Sequence, residues 1–225
     1  VNGKTEILGC YNTRETILQG EEEIAGILGP SYGEVNIKNC YNAASFETIE
    51  GGAPDVGGII SSEDSGSRLE LYVDKSINYS DILFEKSTDA SGIANVGNAI
   101  LITNSANYGD IKGRESAGIT YSGGGNIYNC YNIGDVSGDY TAGIAYGEAT
   151  INNCYNLGQI NAKYKGCAIA DSQVSTYTNC YELTGNETTT EKETVKNTLN
   201  ANRIDANTWS EWKIVESANN GYPIF

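Results

Sequence analysis

Ile127-Tyr128-Asn129-Cys130-Tyr131-Asn132-Ile133-Gly134-Asp135-Val136 is the fullest form of a word that the chain repeats. Its core, Asn-Cys-Tyr-Asn, returns at 39–42 and 153–156. Near-copies stand at 9–12 (Gly-Cys-Tyr-Asn) and 179–182 (Asn-Cys-Tyr-Glu). Two altered copies align over the same length, Lys75-Ser76-Ile77-Asn78-Tyr79-Ser80-Asp81-Ile82 and Asn104-Ser105-Ala106-Asn107-Tyr108-Gly109-Asp110-Ile111. The seven equivalent positions are Cys10, Cys40, Ser76, Ser105, Cys130, Cys154 and Cys180, spaced by 30, 36, 29, 25, 24 and 26 residues. Self-similarity at a period of about 20–50 residues marks one supersecondary unit stacked on copies of itself.

Between copies of this word lies a second one, small-Gly-Ile or a variant of it. It reads Ala25-Gly26-Ile27, Gly57-Gly58-Ile59, Ser91-Gly92-Ile93, Ala117-Gly118-Ile119, Ala142-Gly143-Ile144 and Cys167-Ala168-Ile169. The runs between turns are short, β-branched and bounded by Gly, Asn and Asp, which is strand-and-turn chemistry. A helical solenoid needs periodic segments of about 10–15 residues, and residues 1–180 have none. The expected fold is therefore all-β, a parallel β-solenoid of about seven coils. At about 4.8 Å per coil the rod would be on the order of 30 Å long. The 27 glycines suit corners that need positive φ.

The net charge of −15 opposes binding to nucleic acid or an anionic bilayer. There is no apolar run of about 18 residues, so no membrane span is expected. Val1 is not an initiator Met and Ile7-Leu8-Gly9-Cys10 already lies inside a repeat, which reads as a mature fragment cut from a longer protein. The six cysteines are expected to be free thiols. Five of them share one repeat position that Ser fills twice, and Ser replaces a small buried thiol but not half of a disulfide. Stacked coils would also hold these residues about 4.8 Å apart, against the Cβ separation of about 3.8 Å that a disulfide prefers.

Residues 1–182 form the solenoid, with 61–104 as an irregular insertion expected to leave the rod as a loop or hairpin. Residues 183–225 read as a C-terminal cap, with a short helix over 190–201 and strands around Trp209 and Trp212. Such a cap would cover the exposed edge of the last coil.

Stacked coils convert each repeat position into a column. Asn12, Asn42, Asn78, Asn107, Asn132 and Asn156 should bond amide to amide from coil to coil. Tyr11, Tyr41, Tyr131, Tyr155 and Tyr181 form a second column that either packs or, if exposed, offers rings to sugars; Ile77 and Ala106 interrupt it. Asp81, Asp110 and Asp135 form an acidic column. Turn aspartates that bond their own backbone are the default, and a calcium ion relieving carboxylate repulsion is the alternative. No other cofactor is expected.

These words resemble the GLUG-type repeat of large exported proteins of Gram-positive anaerobes, carried here by Ala117-Gly118-Ile119 and 127–138 and by the Asn220-Gly221-Tyr222-Pro223 ending. The resemblance implies a right-handed parallel β-helix, an extracellular or cell-surface location, and a non-catalytic role in adhesion, ligand presentation or spacing, with an unidentified host or glycan ligand as partner. The absence of His removes Ser-His-Asp and Cys-His nucleophile pairs. The alternative is a polysaccharide-binding or polysaccharide-cleaving β-helix, since paired carboxylates act on glycosidic bonds. The candidate ligand-binding residues are Glu63, Asp64, Arg68, Glu70 and Tyr72 in the insertion, with Asp81, Asp110 and Asp135 beside them. The protein is expected to be monomeric.

Overall fold

A computed structural model of the chain describes residues 4–31, 33–49, 52–62, 70–85, 89–97, 100–122, 125–171, 175–203 and 208–225. It is all-β apart from one α-helix and a short 3-10 turn, and its mostly parallel strands stack as a β-solenoid of about six turns. One sheet runs through the whole stack, in the order Lys4–Leu8, Glu34–Lys38, Glu70–Asp74, Ile100–Thr103, Gly125–Tyr128, Thr150–Asn152 and Thr176–Thr178. A second sheet is built from the two-residue strands of the Tyr-Asn word and their equivalents, from Tyr41–Asn42 to Tyr181–Glu182.

Register follows the repeat. Ile77 pairs with both Tyr41 and Ala106, and Ala94 pairs with both Ile60 and Thr120. The span 61–104 therefore supplies strands to the same sheets as its neighbours, although its words have decayed. Of this span, residues 63–69, 86–88 and 98–99 lie outside the described part.

Inward positions alternate along each short strand, as a pleat requires. Val35, Ile37, Leu71, Val73, Ile102, Ile127 and Ile151 line one wall of the main core. Ile59, Ile93, Ile119, Ile144 and Ile169, from the small-Gly-Ile word, line the other. A second narrow core holds Val56, Ile82, Ala90, Ile111 and Val136.

The repeated Gly of the second word answers to close approach rather than to positive φ. Gly26, Gly58, Gly92, Gly118 and Gly143 are all absent from the positive-φ glycines. A Cβ on Gly118 would stand 2.2 Å from the Gly143 carbonyl oxygen and 2.3 Å from Cγ of Asn132, so each Gly lets the Asn column lie against the backbone. The left-handed corners fall instead at the first position of the other word, which is Asn in five copies and Gly9 and Lys75 in the other two. Asn39, Asn104, Asn129, Asn153 and Asn179 have φ of 54, 49, 57, 61 and 51°. Asn tolerates this region through its short polar side chain.

All six cysteines are free. Cys154 Sγ accepts the backbone N–H of Cys130 at 3.3 Å, and Ser76 Oγ and Ser105 Oγ accept those of Cys40 and Ser76 at 3.4 and 3.2 Å. Thiol and hydroxyl perform the same coil-to-coil task, which is why they exchange at this position.

Helix α1 spans Thr189–Ala201 and opens on a capping box, Thr188 bonding the N–H of Glu191 while Glu191 bonds that of Thr188. Its buried residue, Leu199, joins Leu183, Trp212 and Tyr222 against Tyr131 and Tyr155. The tail thus lies along the flank that carries the tyrosine column. Trp212 donates from Nε1 to Asn129 Oδ1 at 2.6 Å, and Ser210 donates its N–H to Asn104 Oδ1 at 2.6 Å.

Candidate functional site

On the outer face of the long sheet a row of side chains stands in register, one per coil: Tyr72, Leu101, Asn126, Thr150 and Thr176. Parallel pairing sets their spacing at about 4.8 Å. The inward row beside them shrinks along the stack, from Leu71 and Ile100 to Gly125 and Ala149. Ile100 leans over the space that a Cβ of Gly125 would need, only 2.3 Å from Cγ1. The loss of side-chain volume leaves an open groove of about 790 Å³ that runs along the stack, with Glu70 and Glu148 among its lining residues.

Two of the residues expected from sequence to bind a ligand, Glu70 and Tyr72, line this groove, while Glu63, Asp64 and Arg68 lie outside the described residues. Glu148 belongs to neither repeated word, so nothing in the sequence marks it; pairing of Thr150 with Asn126 brings it to the groove. Two exposed carboxylates, an exposed phenol and a row of amide and hydroxyl groups suit hydrogen bonding to a neutral polyhydroxylated chain and repel anionic ones.

Asp81, Asp110 and Asp135 do not join this site. The Asp81 carboxylate accepts the backbone N–H of Asp110 at 2.9 Å, Asp110 accepts that of Asp135 at 2.8 Å, and Asp135 accepts that of Gln159 at 2.8 Å. Each bond crosses to the next coil, not to the residue's own turn as the default reading has it. One oxygen of each carboxylate, Oδ1, is thus engaged by a backbone donor, and among the described residues no group of three His, Cys, Asp or Glu side chains is arranged to hold a metal.

The Asn column forms the expected ladder. Asn42 donates to Asn78 at 3.0 Å, Asn78 to Asn107 at 2.8 Å, Asn107 to Asn132 at 2.7 Å and Asn132 to Asn156 at 2.7 Å, all buried. At its end Asn12 bonds Asn42 at 3.5 Å.

The tyrosine column differs from its sequence reading. Ile77 and Ala106 do not interrupt it, because Tyr79 and Tyr108, two residues further on, bring their rings into the gaps. Ring contacts then run unbroken from Tyr11 through Tyr41, Tyr79, Tyr108 and Tyr131 to Tyr155, with centroids 4.9, 6.4, 5.2, 5.8 and 5.2 Å apart. Both packing and exposure occur along it, Tyr131 and Tyr155 lying under the tail while Tyr11, Tyr41 and Tyr79 face solvent. Burial pushes the Tyr155 hydroxyl well above its usual range; it stays protonated and donates to the Pro223 carbonyl at 2.5 Å.

Fold and surface together define a parallel β-solenoid protein with an open groove on its seven-stranded sheet. Comparison with protein-family models, with curated proteins and with solved structures gave no match to this chain.

Proposed function

We propose that the chain is a non-catalytic extracellular β-helix module of a larger bacterial surface protein, serving adhesion, ligand presentation or spacing. It is taken as right-handed, the hand that parallel crossovers favour. The observation that carries this reading is the use of the repeat's polar columns: the Asn and Asp side chains bond from coil to coil, so the repeated words build a rod. The likeness of those words to GLUG-type repeats supports the surface location.

A second reading, polysaccharide binding, is favoured by the groove lined by Glu70, Tyr72, Asn126, Glu148 and Thr150. A glycan array run beside a reducing-sugar release assay on the purified chain tests both. The rod reading expects no sugar release; release abolished by Glu70→Gln or Glu148→Gln would replace it with an enzyme. Binding of neutral glycans, lost on Asn126→Arg, would establish the second reading.

A further inference from the structure

The six-ring tyrosine ladder is covered for only part of its length. At its C-terminal end the chain's own tail occupies it: the Trp212 ring lies 5.7 Å from Tyr131 and 5.6 Å from Tyr155, and Phe225 lies 5.0 Å from Tyr131. Polar groups complete that contact, with Tyr155 donating to the Pro223 carbonyl and Asn219 donating to the Tyr155 hydroxyl at 3.0 Å. Tyr108 stands at the border of the covered part, its hydroxyl 2.6 Å from that of Tyr131. Beyond the border Tyr79, Tyr41 and Tyr11 continue the same ladder with 46, 40 and 57% of their surface exposed.

We propose that this uncovered strip, Tyr11-Tyr41-Tyr79, is a docking surface for an aromatic-bearing polypeptide segment of a partner protein, chemically like this chain's own tail. Two observations select that occupant. The first is continuity, because the strip extends an interface whose occupant is visible within the chain: Trp and Phe rings tilted by 49–60° against tyrosine rings, with a main-chain carbonyl accepting from a tyrosine hydroxyl. Aromatic residues of this kind dominate protein interfaces, being large, stiff and polar at one end. The second is ring orientation. Tyr11 and Tyr41 are parallel to within 9°, so they stack on each other along the rod and turn edges and hydroxyls outward. Sugar rings stack on aromatic faces, and in this pair each ring has one face covered by the other. Edges and hydroxyls instead suit T-shaped contacts with incoming aromatic rings and hydrogen bonds to a peptide backbone.

The test uses the full 225-residue chain and a labelled synthetic peptide of residues 208–225 as probe, read by fluorescence anisotropy. Saturable binding is expected, weakened at least about tenfold (1.4 kcal/mol) by Tyr41→Ser with Tyr79→Ser, and unchanged by Tyr72→Ser on the groove face. Tyr11→Ser, at the exposed end of the ladder, should weaken binding while leaving the circular dichroism melt unchanged, which keeps the test valid if the double variant misfolds. No binding to the parent chain overturns the proposal. So does binding that persists in both strip variants, since the peptide would then be displacing the tail from Tyr131 and Tyr155. Equal loss on Tyr72→Ser shows non-specific adhesion and overturns it as well. A glycan-array signal lost on Tyr41→Ser, without peptide binding, gives the strip to sugars instead.

Discussion

The two asparagines of Asn-Cys-Tyr-Asn have different tasks. Asn129 turns the corner at φ 57° and bonds Asn104 and Asn153 on the adjacent coils, whereas Asn132, three residues on, bonds Asn107 and Asn156 and also ties down the Gly134 carbonyl of its own turn. Asn132→Ala strands buried partners and should cost about 1–3 kcal/mol in urea unfolding. Asn12→Ala should cost clearly less, because Asn12 sits half-buried at the end of the ladder, bonded to the Gly26 carbonyl and only at 3.5 Å to Asn42. Equal losses at the two sites would show that the ladder is not what holds these coils. The cysteines give a second prediction at this scale. Burial raises the thiols of Cys154 and Cys40 above their usual range, which starves them of reactive thiolate. Titration with a thiol reagent should find six groups after denaturation without reductant, while in the native chain exposed Cys10 reacts ahead of Cys40, Cys130 and Cys154.

At the scale of elements, the docking of the tail rests partly on one carboxylate. Burial alone would push the Glu187 carboxyl up, but the Tyr222 hydroxyl at 2.5 Å and the backbone N–H groups of Thr184 and Gly185 outweigh it. They hold it at about 2, below its ordinary 4.5. A carboxyl depressed on folding stabilises the folded form in full above its unfolded value and loses that contribution as pH falls through the folded one. Tail docking, followed by the fluorescence of Trp209 and Trp212, should therefore hold above pH 4.5 and weaken between about 4.5 and 2. In Glu187→Gln that step should shrink; an unchanged pH profile would assign the acid sensitivity to other groups.

Across the whole molecule each coil packs on its neighbours alone, so stability is a sum of nearest-neighbour terms. Tyr131 and Asn132 are fully enclosed, whereas Cys10 and Tyr11 are exposed. The tail reinforces the middle coils as well, reaching back to Asn104 and Asn129. Amide hydrogen exchange should give the strongest protection to strands Ile100–Thr103, Gly125–Tyr128 and Thr150–Asn152, and the weakest to Lys4–Leu8 and Thr176–Thr178. Uniform protection along the rod would mean that it opens as a single cooperative unit instead.

Periodicity was sufficient for the all-β solenoid, the register of its coils, the Asn ladder and the interchange of Cys with Ser. Each of these follows from stacking one unit on its copy at a fixed spacing, so a position in a word becomes a column in space. The helix was legible too, since the i, i+4 spacing of Val195 and Leu199 is a local signal. What lies across repeats was not. Tyr79 and Tyr108 refill the ladder from a different position in the word, because a ring is long enough to reach a gap that alignment assigns to Ile77 and Ala106. The groove depends on Gly125 and Ala149 being smaller than the residues stacked beside them, and it recruits Glu148, which no motif marks. The tail's place on the tyrosine flank was decided by contacts such as Ser210 with Asn104, 106 residues apart in the chain. A repeat specifies only its neighbours, and the tail does not repeat, so its position exists only once the rod has formed a surface to receive it.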